Sequence, residues 1–238
     1  MSIIKGWKLL TDPNRLERFW DRISGIWETL PETLPQVKDF HNSEENFITS
    51  LVKDHKNPTV LDLGCGSGLL LKKLSNINVK KLYGIDISSK MIDKCRSILP
   101  ETTVLLQHDF RERLPFTDNF FDFVFMTGNT LSSSITESET VLRNIYRILK
   151  ENGTLVIGLY NSEFMTEDFV RDYYGNFPKV LGLKCFDKEN HTVFIGDIYS
   201  HWLNEEELKA LFEDLDFDVK IEKKGIGFIV FAKKQEIK

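Results

Sequence analysis

The chain has 238 residues, 41% hydrophobic and 28% charged, which suffices for one large α/β core or two small domains. Its formal net charge is -5, from 31 basic and 36 acidic side chains, so no global positive field draws in a long RNA or DNA substrate. Cys65, Cys95 and Cys185 are odd in number and not at zinc-ligand spacing; with no secretory leader and no run of about 18 apolar residues, a cytoplasmic protein without metal or membrane span is expected.

In chain order, "RLERFWDRISGIWETLP" places Leu16, Phe19, Trp20, Ile23, Ile26, Trp27 and Leu30 three and four residues apart. That spacing predicts one amphipathic helix, with Asp12 as its cap and Pro13 in its first turn. Pro31 and Pro35 interrupt the run, and a second helix is predicted from about Ser43 to Lys53. From Thr59 strands and helices alternate. "TVLDL" precedes the glycine turn Gly64-Cys65-Gly66-Ser67-Gly68 and a helix through Leu74. "KLYGIDI" precedes "SSKMIDKCRSIL", capped by Ser88 or Ser89. "TTVLLQHDF" and "FFDFVFMTG" are the next strands. "SETVLRNIYRILK" is a helix expected to end at Asn152-Gly153, followed by "TLVIGLY". Such alternation predicts a doubly wound, mostly parallel α/β sheet.

After Tyr160 the pattern changes. A short helix is followed by two extended runs, "KVLGLKCF" and "TVFIGDIYS", flanking "DKENH", which reads as an antiparallel hairpin inserted on the core. Asn204 caps "EEELKALFEDL", and "DFDVKIEKK" with "GFIVFAKK" forms a terminal antiparallel pair, completing seven strands. One domain is expected, in four parts: an N-terminal helical lid (1–58), a cofactor-binding core (59–160), a substrate-side insertion (161–203) and the C-terminal helix and strand pair (204–238).

Asp62, Asp86 and Asp109 stand at the ends of the first three predicted strands, the edge of an open α/β sheet where ligands bind. Any one of them is equally well an ordinary polar strand end; the ordered set behind a glycine turn points to a site. A pyrophosphate-binding turn needs G-x-G-x-x-G, whereas here the third glycine comes one residue early and Asp62 adds negative charge. NAD is therefore disfavoured.

"VLDLGCGSG", "YGIDIS", "QHDFRERLPF" and "FDFVFMTGNTL" resemble, in order, the successive motifs of class I S-adenosylmethionine-dependent methyltransferases, of the small-molecule (type 11 or 25) kind. The resemblance covers roughly residues 55 to 160 and implies a Rossmann-like fold with S-adenosylmethionine as cofactor. Carried over, Gly64, Cys65, Gly66 and Gly68 admit the methionine part, with Asp62 near its ammonium group. Asp86 accepts from both ribose hydroxyls. Ile87 and Met91 pack at the adenine, Asp109 accepts from its amino group, and His108 and Phe110 flank it. Thr127 and Gly128 offer backbone groups to the methionine moiety. "FWDRISGIWE" resembles the leading segment of relatives that folds over the cofactor, which gives Trp20 and Trp27 a covering role; the plainer reading is a core stripe.

The expected reaction is in-line transfer of the methyl group to a small-molecule N- or O-nucleophile. The alternatives are a tRNA or protein methyltransferase, or a cofactor-binding partner without activity. "GNTLSS" and "TLVIGLYN" resemble turns of the glycine N-methyltransferase type, making Asn129 and Asn161 candidates for orienting an acceptor or the cofactor carboxylate, each equally well a simple turn asparagine. His201 and Tyr199, in the insertion, are the remaining catalytic candidates, and each is equally an ordinary hairpin residue.

Overall fold

A computed structural model describes residues 12–175, 177 and 182–236. Seven strands form one sheet: β1 (Thr59–Leu63), β2 (Lys81–Asp86), β3 (Val104–Gln107), β4 (Phe121–Met126), β5 (Leu149–Tyr160), β9 (Phe217–Lys224) and β10 (Gly227–Lys234). Their order is β3-β2-β1-β4-β5-β10-β9. The first five run parallel, and β10 is antiparallel to both β5 and β9. Parallel strands need both faces covered, and "TVLDL" is accordingly buried at all five positions, Asp62 included.

The helices are α1 (Pro13–Ile23), α2 (Pro35–Lys53), α3 (Leu69–Leu74), α4 (Ser89–Ile98), α5 (Ser138–Ile148), α6 (Glu167–Tyr174) and α7 (Glu205–Ala210). One apolar core joins α1 to α4 and α6 to one sheet face, through residues such as Phe19, Val52, Leu71, Ile92 and Val170. A second core joins α5 and α7 to the other face, through Val141, Ile145, Leu208 and Val230. The strand order reverses between β1 and β4, where an open sheet leaves a crevice at the carboxyl ends of its strands.

The expected doubly wound sheet is present, and four local readings are corrected. The stripe from Leu16 to Leu30 is not one helix: α1 stops at Ile23, a turn through Gly25 follows, and Trp27–Thr29 is a separate 3-10 turn. The second helix begins at Pro35, eight residues early, because proline suits the first helical turn. α5 ends at Ile148, since Leu149 already pairs with Phe121 on β4. Asn152, at φ 62°, instead resets the register so that Thr154 meets Phe123. "TVFIGDIYS" folds back at Gly196 into two strands, β7 (Thr192–Ile195) and β8 (Ile198–His201). With β6 (Leu183–Asp187) these make a three-stranded antiparallel sheet. The start of the run "KVLGLKCF" and residues 1–11 of the expected lid lie outside the described residues. No helix among them is long and apolar enough to cross a membrane.

Candidate active site

Two adjoining cavities open at the crevice. Counted with their open mouths, the larger spans about 820 Å³ and the smaller about 570 Å³. Trp27, Gly64, Gly66, Gly128 and Thr130 line both and mark their junction.

The glycine turn is tied down by Ile85 of β2, whose carbonyl accepts from the N–H groups of Gly64 and Cys65 at 2.8 and 2.9 Å. Gly64 and Gly66 have φ values of 73° and 53°, in the left-handed region that favours glycine. A Cβ on Gly66 would point at the Trp27 indole nitrogen, 3.5 Å away, across the cavity junction. Gly68 lines neither cavity: its missing Cβ makes room for Cys95 Sγ and Leu99, so it serves the packing of α4.

Asp86, the last residue of β2, faces the larger cavity and accepts from the N–H groups of Gly66 and Ser88, both at 2.9 Å. Ile87, Met91 and Phe110 line the same space. Asp62, Cys65, Thr127 and Gly128 line the smaller cavity. One carboxylate oxygen of Asp62 is buried there without a hydrogen-bond partner. Such a group costs free energy unless something supplies a donor. An orphaned acid beside side-chain-free backbone fits the ammonium group of an aminoacyl end, and the residues present therefore suit the expected cofactor.

His108 and Asp109 stay outside both cavities. Asp109 lies two residues beyond β3, and Arg111 grips its carboxylate with Nε–Oδ1 at 2.9 Å and a terminal nitrogen–Oδ2 at 2.6 Å. The His108 ring nitrogen Nε2 is 3.2 Å from the Arg113 carbonyl.

Trp20 and Trp27 both line the larger cavity, edge to face with ring centroids 5.1 Å apart. The anchor of this segment is Asp21, which the sequence reading missed. Its carboxylate accepts from Ser88 Oγ at 2.5 Å and from Lys90 N at 3.3 Å, at the positive N-terminal end of α4.

The catalytic candidates divide. Asn129 and Tyr199 line the larger cavity. The Asn129 amide accepts from Tyr160 N at 3.0 Å and donates to Ser200 Oγ at 3.3 Å. Asn161 is a buried cap on the following turn, its Oδ1 accepting from Glu163 N, and His201 is held against Thr192 Oγ1 at 2.8 Å. Neither lines a cavity. The insertion contributes instead Tyr173, Tyr174, Phe177, Ile195, Ile198 and Ser200, whose alternation and aromatic content give little local sign of a cavity wall.

His41 and Glu44 of α2 were also missed. His41 Nε2 is 2.8 Å from the Tyr160 hydroxyl, and burial pushes its imidazole down to about 4, keeping it neutral. Burial pushes the carboxyls of Glu44, Asp62 and Asp86 up to about 8, 7 and 6. In the unfolded chain carboxyls titrate near about 4, so above that pH the folded state holds protons the unfolded state has lost. Stability then falls as pH rises through the folded values. His41 acts oppositely, but only up to its unfolded value of about 6.5. The melting temperature of the ligand-free protein is therefore expected to drop by several degrees between about pH 7 and 8.5 in scanning calorimetry; a flat or rising midpoint contradicts the buried-acid assignment.

Comparison with known proteins bears on the family and the fold. A family described as "Methyltransferase domain" matches residues 61–157. The ubiquinone/menaquinone biosynthesis C-methyltransferase UbiE of Escherichia fergusonii is 30% identical over 188 residues, covering 75% of this chain and 73% of the relative. Among solved structures, the CcbJ methyltransferase from Streptomyces caelestis superposes with a TM-score of 0.70 at 15% identity, covering 92% and 98% of the two chains. A SAM-dependent methyltransferase from Methanosarcina mazei gives 0.61 at 22% identity, over 79% and 97%.

Proposed function

The chain belongs to the class I S-adenosylmethionine-dependent methyltransferases, and from that premise we propose that it methylates the nitrogen of a small, uncharged, ring-bearing molecule. S-adenosylmethionine is the cosubstrate and supplies an electrophilic methyl group on a sulfonium sulfur. In this reading Asp86 holds the ribose hydroxyls, and Ile87, Met91 and Phe110 hold the adenine. Asp62 and the backbone of Gly64, Gly66, Thr127 and Gly128 hold the aminoacyl end, with Trp20 and Trp27 excluding water. Asp109 keeps its bond to Arg111 and takes no part.

The observation that carries the acceptor class is the wall of the larger cavity. Tyr160, Tyr173, Tyr174, Phe177, Tyr199, Ile195 and Ile198 form it, and among the described residues Asp86 is the one charged side chain that lines it. Among the described residues no lysine or arginine lines it to partner a phosphate or carboxylate. Aromatic walls favour a ring that stacks or meets them edge on. Polar reading of the acceptor falls to a buried cluster around Ser200, whose hydroxyl lies 3.1 Å from Ser132 Oγ and 3.2 Å from the Tyr174 hydroxyl.

Nitrogen is favoured because, with the three buried acids taken up by the cofactor in this reading, no base near neutral pH is left to the acceptor among the described residues. His41 is a weak one at about 4, and burial raises the Tyr160 and Tyr199 phenols. A neutral amine needs only alignment, whereas a hydroxyl needs its proton removed. The reading is tested by incubating the protein with methyl-labelled S-adenosylmethionine against uncharged amines, phenols, electron-rich rings, tRNA and protein. Label on an amine nitrogen of an apolar ring compound is expected. Label on oxygen or carbon would replace the nitrogen assignment, and label in tRNA or protein alone would overturn the acceptor class.

A further inference from the structure

His41, Glu44 and Glu45 lie three and four residues apart on α2 and share the face that lines the smaller cavity. The Glu44 carboxyl is buried and reaches the turn after β4, where Gly128 N donates to Oε1 at 3.1 Å. β5 makes room for it with Gly158, where a Cβ would stand 1.4 Å from Glu44 Oε1. Glycine inside a strand weakens it and often marks a close approach; here the approaching group is an acid.

Glu45 at the rim is paired with Lys73. Glu44 and Asp62 have no such cation: no lysine or arginine lines this cavity among the described residues. The groups around Glu44 are His41 and Glu45 from its own helix, Asp62 from β1 and Tyr160 from β5, on which Glu44 acts, with Asp86 of β2 acting in turn on Asp62. His41 is neutral, so none of the described residues lining the cavity balances two carboxylates, and like charges buried in one site share protons instead. What the pair lacks is an ammonium group.

We infer that Glu44 and Asp62 together receive the α-ammonium group of the cofactor, and that the pair gives up a proton to solvent as it does so. The O–H bond of the carboxylic acid breaks, the proton passes to buffer, and the carboxylate left behind accepts an ammonium N–H. No electrons change hands. The inference rests on the aminoacyl end of the cofactor entering the smaller cavity.

The test is titration calorimetry of the full chain near pH 7 in two buffers of different ionisation enthalpy. The probes are S-adenosylhomocysteine and 5′-methylthioadenosine, which lacks the aminoacyl end. About one proton should be released with the first and none with the second. Glu44→Gln keeps the shape without the acid. It should weaken S-adenosylhomocysteine by about tenfold or more, at least halve the proton release, and leave methylthioadenosine unchanged. Unaltered affinity and proton count in Glu44→Gln overturn the inference. Should that variant bind neither probe, Glu44→Asp decides: retained release supports the two-acid receptor, and lost release refutes it. Failure of both nucleosides to bind the natural protein would strike at the cofactor placement itself. Binding of both without proton release would strike at the acid pair alone.

Discussion

The Asp86→Ala variant is expected to bind S-adenosylhomocysteine about 100-fold more weakly, or worse. Two hydrogen bonds from ribose hydroxyls to a carboxylate are worth about 1.5–3 kcal/mol each, and losing both accounts for a factor of that size. Asp86 also braces the site before any ligand arrives, since its two oxygens accept from Gly66 N and Ser88 N. Alanine leaves both N–H groups without that partner, so the ligand-free protein should lose about 1–3 kcal/mol as well. Melting curves with and without ligand separate the two effects, because the first appears only as a lost ligand-induced shift. Asp86→Asn should recover part of the stability and little of the affinity, since its amide offers one acceptor oxygen in place of two. Full affinity in the alanine variant would remove Asp86 from the ribose.

Gly158→Ala should be at least as damaging, through shape alone. Its Cβ would stand 1.4 Å from Glu44 Oε1 and 2.4 Å from Cδ, so the acid must leave its pocket. The backbone cannot yield readily, because Gly158 sits within β5 and pairs with Ile229 of β10 while its carbonyl accepts from Asn129 N at 3.1 Å. Overpacking a core by one methyl costs typically about 1–3 kcal/mol. Displacing a buried acid that accepts from Gly128 N adds the cost of an unsatisfied group, about 1–3 kcal/mol more. A loss of roughly 3 kcal/mol in denaturant unfolding is expected, together with weakened S-adenosylhomocysteine binding. The compensating variant is Glu44→Ala. Combined with Gly158→Ala it should cost much less stability than the two single losses added, since the collision disappears. Simple additivity would show that the two residues do not meet.

Much of this site was legible in the chain. Asp86 was placed by a short apolar strand ending in an acid about twenty residues past a glycine turn, and it lies where that spacing put it. Gly64 and Gly66 were placed by turn chemistry, and both have positive φ. Readings failed where a local signal had two sources. Gly68 belongs to the same glycine cluster, but its space is filled by Cys95 and Leu99. Asp109 follows a strand as Asp62 and Asp86 do, yet Arg111 two residues later captures it. Asn161 sits at the end of β5 as expected, and is spent on capping the next turn.

By itself the sequence determined the alternation of strands and helices in the core, the parallel sheet and the glycine turn between β1 and α3. Period, turn residues and strand ends are properties of consecutive residues, and backbone sterics read them directly. The tertiary structure decided which side chains share the cavities. Glu44 meets Gly128 across 84 residues, and Ser88 meets Asp21 across 67. No local pattern encodes such meetings, for they depend on how each helix is rotated against the sheet. That rotation is set by the packing of two apolar cores, and it turns an acid on an amphipathic helix into either a solvated charge or a buried one.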